Sequence, residues 1–129
     1  MSIYLPTRSV VRELWKRQLE PSKIVSENFD DAKMGIALAW PRMMVTTGSS
    51  SDVFDVTASL VMGVLSEKPA SSGNTALAFV LLVLTLRRNN WMLDIANEDA
   101  VQFMSRLVQG NIEEKNIVIY LRKRSISVE

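Results

Sequence analysis

From Ala32 to Trp40, large apolar side chains alternate with small or polar ones, and Met34, Ile36, Leu38 and Trp40 fall two residues apart. That spacing loads one face of an extended segment and predicts a β-strand. Gly35, Ala37 and Ala39 would leave the other face low enough for a second element to lie close. Pro41 has no amide hydrogen to give to a ladder, so the strand ends or turns there and residues 43–47 begin a second short strand. Residues 1–5 are short and β-prone, and Trp91 to Ile95 reads as a further strand. The β-branched run Asn116-Ile-Val-Ile-Tyr-Leu121 predicts a strand at the centre of a sheet.

A helical rhythm holds elsewhere. After Pro6-Thr7, the stretch from Arg8 to Leu19 carries Val10, Val11, Leu14, Trp15 and Leu19 at helical spacing, and Pro21 stops it. A polar connector follows to Asp31, interrupted by Ile24, Val25 and Phe29, with room for a short strand. Val53, Val56, Leu60, Val61 and Val64 predict a helix capped by Ser50, Ser51 or Asp52, with Gly63 as its weak point and Pro69 beyond its end. Residues 66–74 form an exposed loop. Asn97-Glu-Asp starts another helix, with Val101, Met104, Leu107 and Val108 facing inward and Gly110 behind it. Residues 75–86 fit a buried helix and a buried strand by pattern alone. Their Leu and Ala content, an N-cap at Asn74 or Thr75, and Arg87-Arg88 at the far end favour helix.

Strands separated by helices predict crossover connections. The expected fold class is therefore α/β, a small mixed or partly parallel sheet with helices packed on it, in a single domain spanning all 129 residues. An antiparallel α+β layer is the alternative that Pro41 permits.

Composition narrows the chemistry more than the fold. The chain has no histidine and no cysteine, which excludes serine and cysteine triads, thiolate zinc sites, iron–sulfur clusters and most imidazole metal sites. No cofactor is expected, and a non-enzymatic role is. Net charge is +1, so nucleic-acid binding has to come from local patches. The start of the chain lacks a basic region followed by an apolar stretch, and the longest apolar run, 76–86, is about half of a membrane span. Neither secretion nor membrane insertion is expected.

Three weak chemical signals remain. The loop from Gly48 to Asp52 before a helix resembles an anion cradle. It has no lysine, however, and Asp52 sits where a phosphate would, so capping accounts for it and a small phosphate-handling enzyme is only a remote alternative. The acidic pairs Asp30-Asp31, Glu98-Asp99 and Glu113-Glu114 read as solvated carboxylates rather than magnesium ligands, and Glu98-Asp99 sits in the first turn of a predicted helix, where the dipole favours negative charge. Ser22-Lys23 and Ser66-Glu-Lys68 lack a spacing that would hold serine against lysine on a regular helix.

Basic residues offer a stronger lead in three clusters: Arg122, Lys123 and Arg124; Arg87 and Arg88; and Arg8, Arg12 and Lys16 at four-residue steps. Converging on one face, they would bind an RNA backbone without reading sequence. Arg122 to Arg124 carry most weight, because the end of a strand has no dipole reason to be basic. The apolar load, seven methionines and three tryptophans, suggests an obligate interface and hence a homodimer.

In size, in lacking Cys and His, in its α/β pattern from Ser2 to Leu121 and in its basic exit Arg122-Lys-Arg124-Ser-Ile-Ser-Val-Glu129, the chain resembles the small accessory protein of the polymerase complex of cystoviruses, bacteriophages with segmented double-stranded RNA genomes. The resemblance implies an assembly protein of a viral polymerase complex or capsid core, located in the virion core or host cytoplasm. It also implies capsid or polymerase-complex partners and weak RNA contact that supports genome packaging. The competing expectation is a protein-interaction module with no nucleic-acid role, and it gains if the basic clusters point apart or are paired with Glu13, Glu113 and Glu114.

Overall fold

The computed structural model describes residues 3–19, 29–48 and 52–128. Their elements are six α-helices, α1 (Arg8–Leu14), α2 (Asp31–Thr47), α3 (Val53–Glu67), α4 (Asn74–Arg88), α5 (Asn97–Val108) and α6 (Glu114–Arg124), with two short strands, β1 (Trp91–Leu93) and β2 (Ser125–Ser127). A wider π-helical turn over Trp15–Leu19 continues α1. Pro21 and the connector through residue 28, the Ser22-Lys23 pair, Ser50 and Ser51 as caps, and the side chain of Leu19 lie outside the described residues.

Helices α1, α2 and α3 start where short polar side chains catch orphan amides. Thr7 Oγ1 accepts from the Val10 amide at 3.2 Å, and Asp30 Oδ1 from the Lys33 amide at 3.1 Å. Asp52 and Asp55 form a reciprocal capping box at the head of α3. α2 ends on Gly48, whose left-handed conformation suits a residue without Cβ.

The α/β expectation is overturned. The two strands pair with each other, antiparallel, in the register Trp91↔Ser127, Met92↔Ile126 and Leu93↔Ser125, so they staple the end of α4 to the end of α6 and build no layer. Residues 32–47, read as two strands, are one helix running through Pro41. Its inward side chains are Met34, Ala37, Leu38 and Pro41, spaced three and four apart, and the alternation of bulk over the same residues was coincidental. The segment 116–121, read as a central strand, is α6. β-propensity measures fit to a half-buried pleat and yields when burial favours a helix. Here Ile117 and Leu121, four residues apart, are fully buried. Residues 3–5 form no strand either.

Buried side chains form one cluster centred on α3, which is covered on all sides by α2, α4 and α6. The inward face expected for α3 is correct, and Phe54, Thr57, Ala58 and Ser59 are buried as well. Gly63 is no weak point. Proline has no amide hydrogen, so Pro41 leaves the Ala37 carbonyl without its helical donor. That carbonyl faces Gly63, where an added Cβ would stand 2.7 Å from its oxygen and 3.1 Å from Ala37 Cα. The missing side chain is what lets α2 and α3 touch backbone to backbone.

α4, the helix favoured for residues 75–86, is clamped at both ends by asparagine amides. Its N-cap is Gly73 rather than Asn74 or Thr75. Asn74 instead turns back to bracket Ala70, accepting from its amide at 2.9 Å and donating to its carbonyl at 2.8 Å. At the other end, Asn89 accepts from the Tyr4 amide at 2.8 Å and donates to the carbonyls of Tyr4 at 3.0 Å and Thr85 at 2.7 Å. One side chain thus supplies residue 4 with the hydrogen bonds a neighbouring strand would have made.

Candidate functional site

The basic clusters were the sequence's main functional signal, and the fold engages each with a different element. Arg122 projects from the last turn of α6 to Asp52 Oδ2 at 2.9 Å and lies over the Phe54 ring at 5.3 Å. Arg124 reaches Asp99 at 3.8 Å and covers the Tyr120 ring at 5.6 Å. Arg12 pairs with Asp31 at 2.9 Å, and the Arg8 side chain lies against Gly35, so the α1 cluster turns toward α2. Arg88 stacks on Tyr4 at 4.4 Å. Arg87, Lys16 and Lys123 are exposed.

The dipole argument for Arg122 to Arg124 also changes. They close a helix and do not follow a strand, and positive charge in a last turn is what the helix dipole favours. Their partners Asp52 and Asp99 stand at the starts of α3 and α5, where negative charge is favoured. Three helix ends therefore neutralise one another.

The anion-cradle idea fares no better among the described residues. Asp52 Oδ1 accepts from the amides of Phe54 and Asp55, and Asp55 Oδ2 from the amide of Asp52. The carboxylates already occupy that helix start. Of the acidic pairs, Asp30 caps α2, Asp99 meets Arg124, and Glu113 lies 3.7 Å from Lys115. Burial, and then the nearby Asp55 charge, push the Glu114 carboxyl above its ordinary pKa. No group of three acidic side chains placed to hold a metal ion occurs among the described residues. Lys68, of the Ser66-Glu-Lys68 motif, is the left-handed C-cap of α3.

What the sequence reading missed is apolar. Ile36 and Trp40 are each 59% exposed and Met43 49%, and with Ala32, Ala39 and Thr47 they line the side of α2 opposite its buried face. The signal was present, since reading the same segment at helical spacing separates Ile36, Trp40 and Met43 from Met34, Ala37, Leu38 and Pro41. A second apolar surface is a groove of about 720 Å³ between α4 and α5, lined by Ala76, Phe79, Ala100, Val101 and Met104. Val101 and Val108, expected to face inward, are 69% and 56% exposed, and Phe103 takes the inner position beside Met104 and Leu107. A smaller, polar cleft of about 320 Å³ lies between α5 and α6, beside the stacked rings of Phe103 and Tyr120.

No helix among the described residues is long and apolar enough to cross a membrane. The α/β pattern that contributed to the cystoviral resemblance is not the pattern the chain adopts. Compared with models of known protein families and with curated protein sequences, the chain matches none.

Proposed function

We propose that this chain is a non-enzymatic assembly module that works through protein–protein contact, with the outer face of α2 as its working surface. The observation that carries the reading is the exposure of Ile36, Trp40 and Met43 side by side on one helix. α2 carries an apolar stripe on the side away from its buried face, flanked by the exposed Lys33, Arg42 and Thr46, and a contiguous exposed apolar patch marks an interaction site. Scattered exposed apolar residues need no explanation, whereas a continuous stripe built around a tryptophan matches the composition of interface hot spots.

The competing expectation, RNA contact through the basic clusters, loses support because Arg12, Arg122 and Arg124 each face a carboxylate. Phosphate would have to displace those partners.

Two titrations test the choice. At high dilution, the hydrophobic dye bis-ANS should fluoresce with the native chain and lose most of that signal with Trp40→Glu, while circular dichroism stays unchanged. Single-stranded RNA should leave the chain unshifted at low salt. RNA binding that weakens with salt by a log–log slope of about 0.7 per phosphate contact, and that Arg87→Glu with Arg88→Glu abolishes, would overturn the proposal in favour of a polyanion-binding protein.

A further inference from the structure

Four arginines have carboxylate partners: Arg12 with Asp31, Arg17 with Glu13, Arg122 with Asp52 and Arg124 with Asp99. Arg8 and Arg42 form no ion pair among the described residues, and they line the same cleft, of about 370 Å³, between α1 and α2. Its other walls are Thr7, Gly35, Leu38 and Ala39, so no acidic side chain borders it. Asp31, one turn before Gly35 on α2, is held by Arg12 at 2.9 Å. Two guanidinium groups sharing a cleft repel each other, and here the fold supplies no aspartate to offset them.

Both side chains are positioned by their surroundings. Arg42 Nη2 donates to the Pro6 carbonyl at 3.2 Å, which uses one of its five N–H groups and turns the guanidinium toward the segment before α1. Arg8 lies across Gly35: a Cβ there would stand 3.4 Å from its Cδ and 3.7 Å from its Nη1, so the missing side chain is what lets the guanidinium rest on α2. Gly35, Ala39 and Arg42 recur four and three residues apart, along one side of the helix. The two cations therefore flank a low apolar floor. Thr7 Oγ1 accepts from the Val10 amide, and its own proton remains to be donated.

We infer that this cleft binds a small phosphate monoester, its oxygens held between Arg8 and Arg42 with the Thr7 hydroxyl as a further donor. Guanidinium forks match phosphate oxygens two at a time. A phosphate ester carries a charge of about −1.5 to −2 at neutral pH, enough to offset both cations, whereas a single carboxylate offsets one. The volume lies toward the lower end for ligand pockets and suits a small organic remainder. The site is separate from the outer face of α2 and does not depend on how that face is used.

Titration with glycerol 3-phosphate, and with inorganic phosphate, against chloride at matched ionic strength should give saturable one-to-one binding. In ¹H–¹⁵N spectra the Nε–Hε signals of Arg8 and Arg42 should move and those of Arg122 and Arg124 should not. Arg8→Gln and Arg42→Gln should each weaken binding about tenfold or more. Arg42→Lys keeps the charge without the fork and should fall between. Arg106→Gln, which changes an exposed arginine of α5, should leave the affinity as it was. Affinity for glycerol 3-phosphate should rise from about pH 5 to about pH 7 as the ligand loses its second proton. Should Arg42→Gln lower the melting temperature through loss of the Pro6 contact, Arg8→Gln decides, because the Arg8 side chain makes no hydrogen bond among the described residues.

Shifts spread over all exposed arginines without saturation, or binding that survives both glutamine variants, overturn the site. No binding at millimolar phosphate overturns the inference and leaves the outer face of α2, tested through Trp40→Glu, unaffected. Single-stranded RNA that binds through Arg8 and Arg42 more tightly than glycerol 3-phosphate overturns this inference and the proposed function together.

Discussion

Replacing Gly63 by alanine should weaken the protein, although the same change in the middle of most helices strengthens it. Alanine is favoured over glycine in a helix interior by about 1 kcal/mol, and that gain applies in full to α3. Against it stands the Ala37 carbonyl, 2.7 Å from the new methyl. The obstacle is backbone and no rotamer relieves it, so α2 must withdraw by about 0.6 Å, enough to forfeit a quarter or more of each dispersion contact across the gap. Met34, Leu38 and Pro41, all buried, sit on the side that withdraws. Overpacking of this kind costs about 3 kcal/mol, which leaves a net loss of about 2 kcal/mol after the gain in propensity. For a chain of this size that is a fall of roughly 6–10 °C in melting temperature, read by circular dichroism at 222 nm and checked by the urea midpoint. Gly35→Ala is the internal control. It sits in α2, its new Cβ would meet only the Arg8 side chain at an ordinary 3.4 Å, and it should raise stability by up to about 1 kcal/mol. If Gly63→Ala proves as stable as the wild type, α2 and α3 do not touch at that point.

Asn89→Ala removes three hydrogen bonds and leaves the amide and carbonyl of Tyr4 unpaired, at a cost of about 2–3 kcal/mol; hydrogen exchange should show the segment at residues 3–7 opening first. Asp52→Ala removes the cap of α3 and the partner of Arg122 together and should cost about 1–2 kcal/mol, more than Arg122→Ala alone, in chemical denaturation. Glu114 has its folded-state pKa raised by burial and by Asp55, so its ionisation opposes folding. The stability this group contributes is present below its ordinary pKa and is lost as pH rises through the raised one. Glu114→Gln should therefore melt higher than the wild type at neutral pH and match it in acid, and equal melting temperatures at both pH values would count against the burial.

Local signals in the chain were good guides to where α3 begins and which of its residues turn inward. Asp52 as a cap, and Val53, Val56, Leu60, Val61 and Val64 as a buried face, follow from neighbours within a few residues, and the structure agrees. Residues 75–86 lie in a helix because Leu-rich and Ala-rich runs favour one when nothing opposes them. The same local logic failed at Ala32–Thr47 and Asn116–Leu121. Alternating bulk is compatible with either rhythm when small residues fill the gaps, and the carbonyl that a proline frees inside a helix can lie against a neighbouring helix that has room for it. Gly63 leaves that room, on a different helix 22 positions away from Pro41 in the chain.

The basic clusters show the division most clearly. From sequence, Arg12, Arg122 and Arg124 are charges in search of a partner, and folding brings Asp31, Asp52 and Asp99 to them. What the amino-acid order determined alone was the chemistry ruled out by the lack of imidazole and thiol, and the cap and buried face of α3. Which charges cancel, and which apolar side chains are left facing water, only the tertiary structure decided. Burial and charge pairing depend on residues distant in the chain becoming neighbours in space, and no window along a sequence contains both members of such a pair.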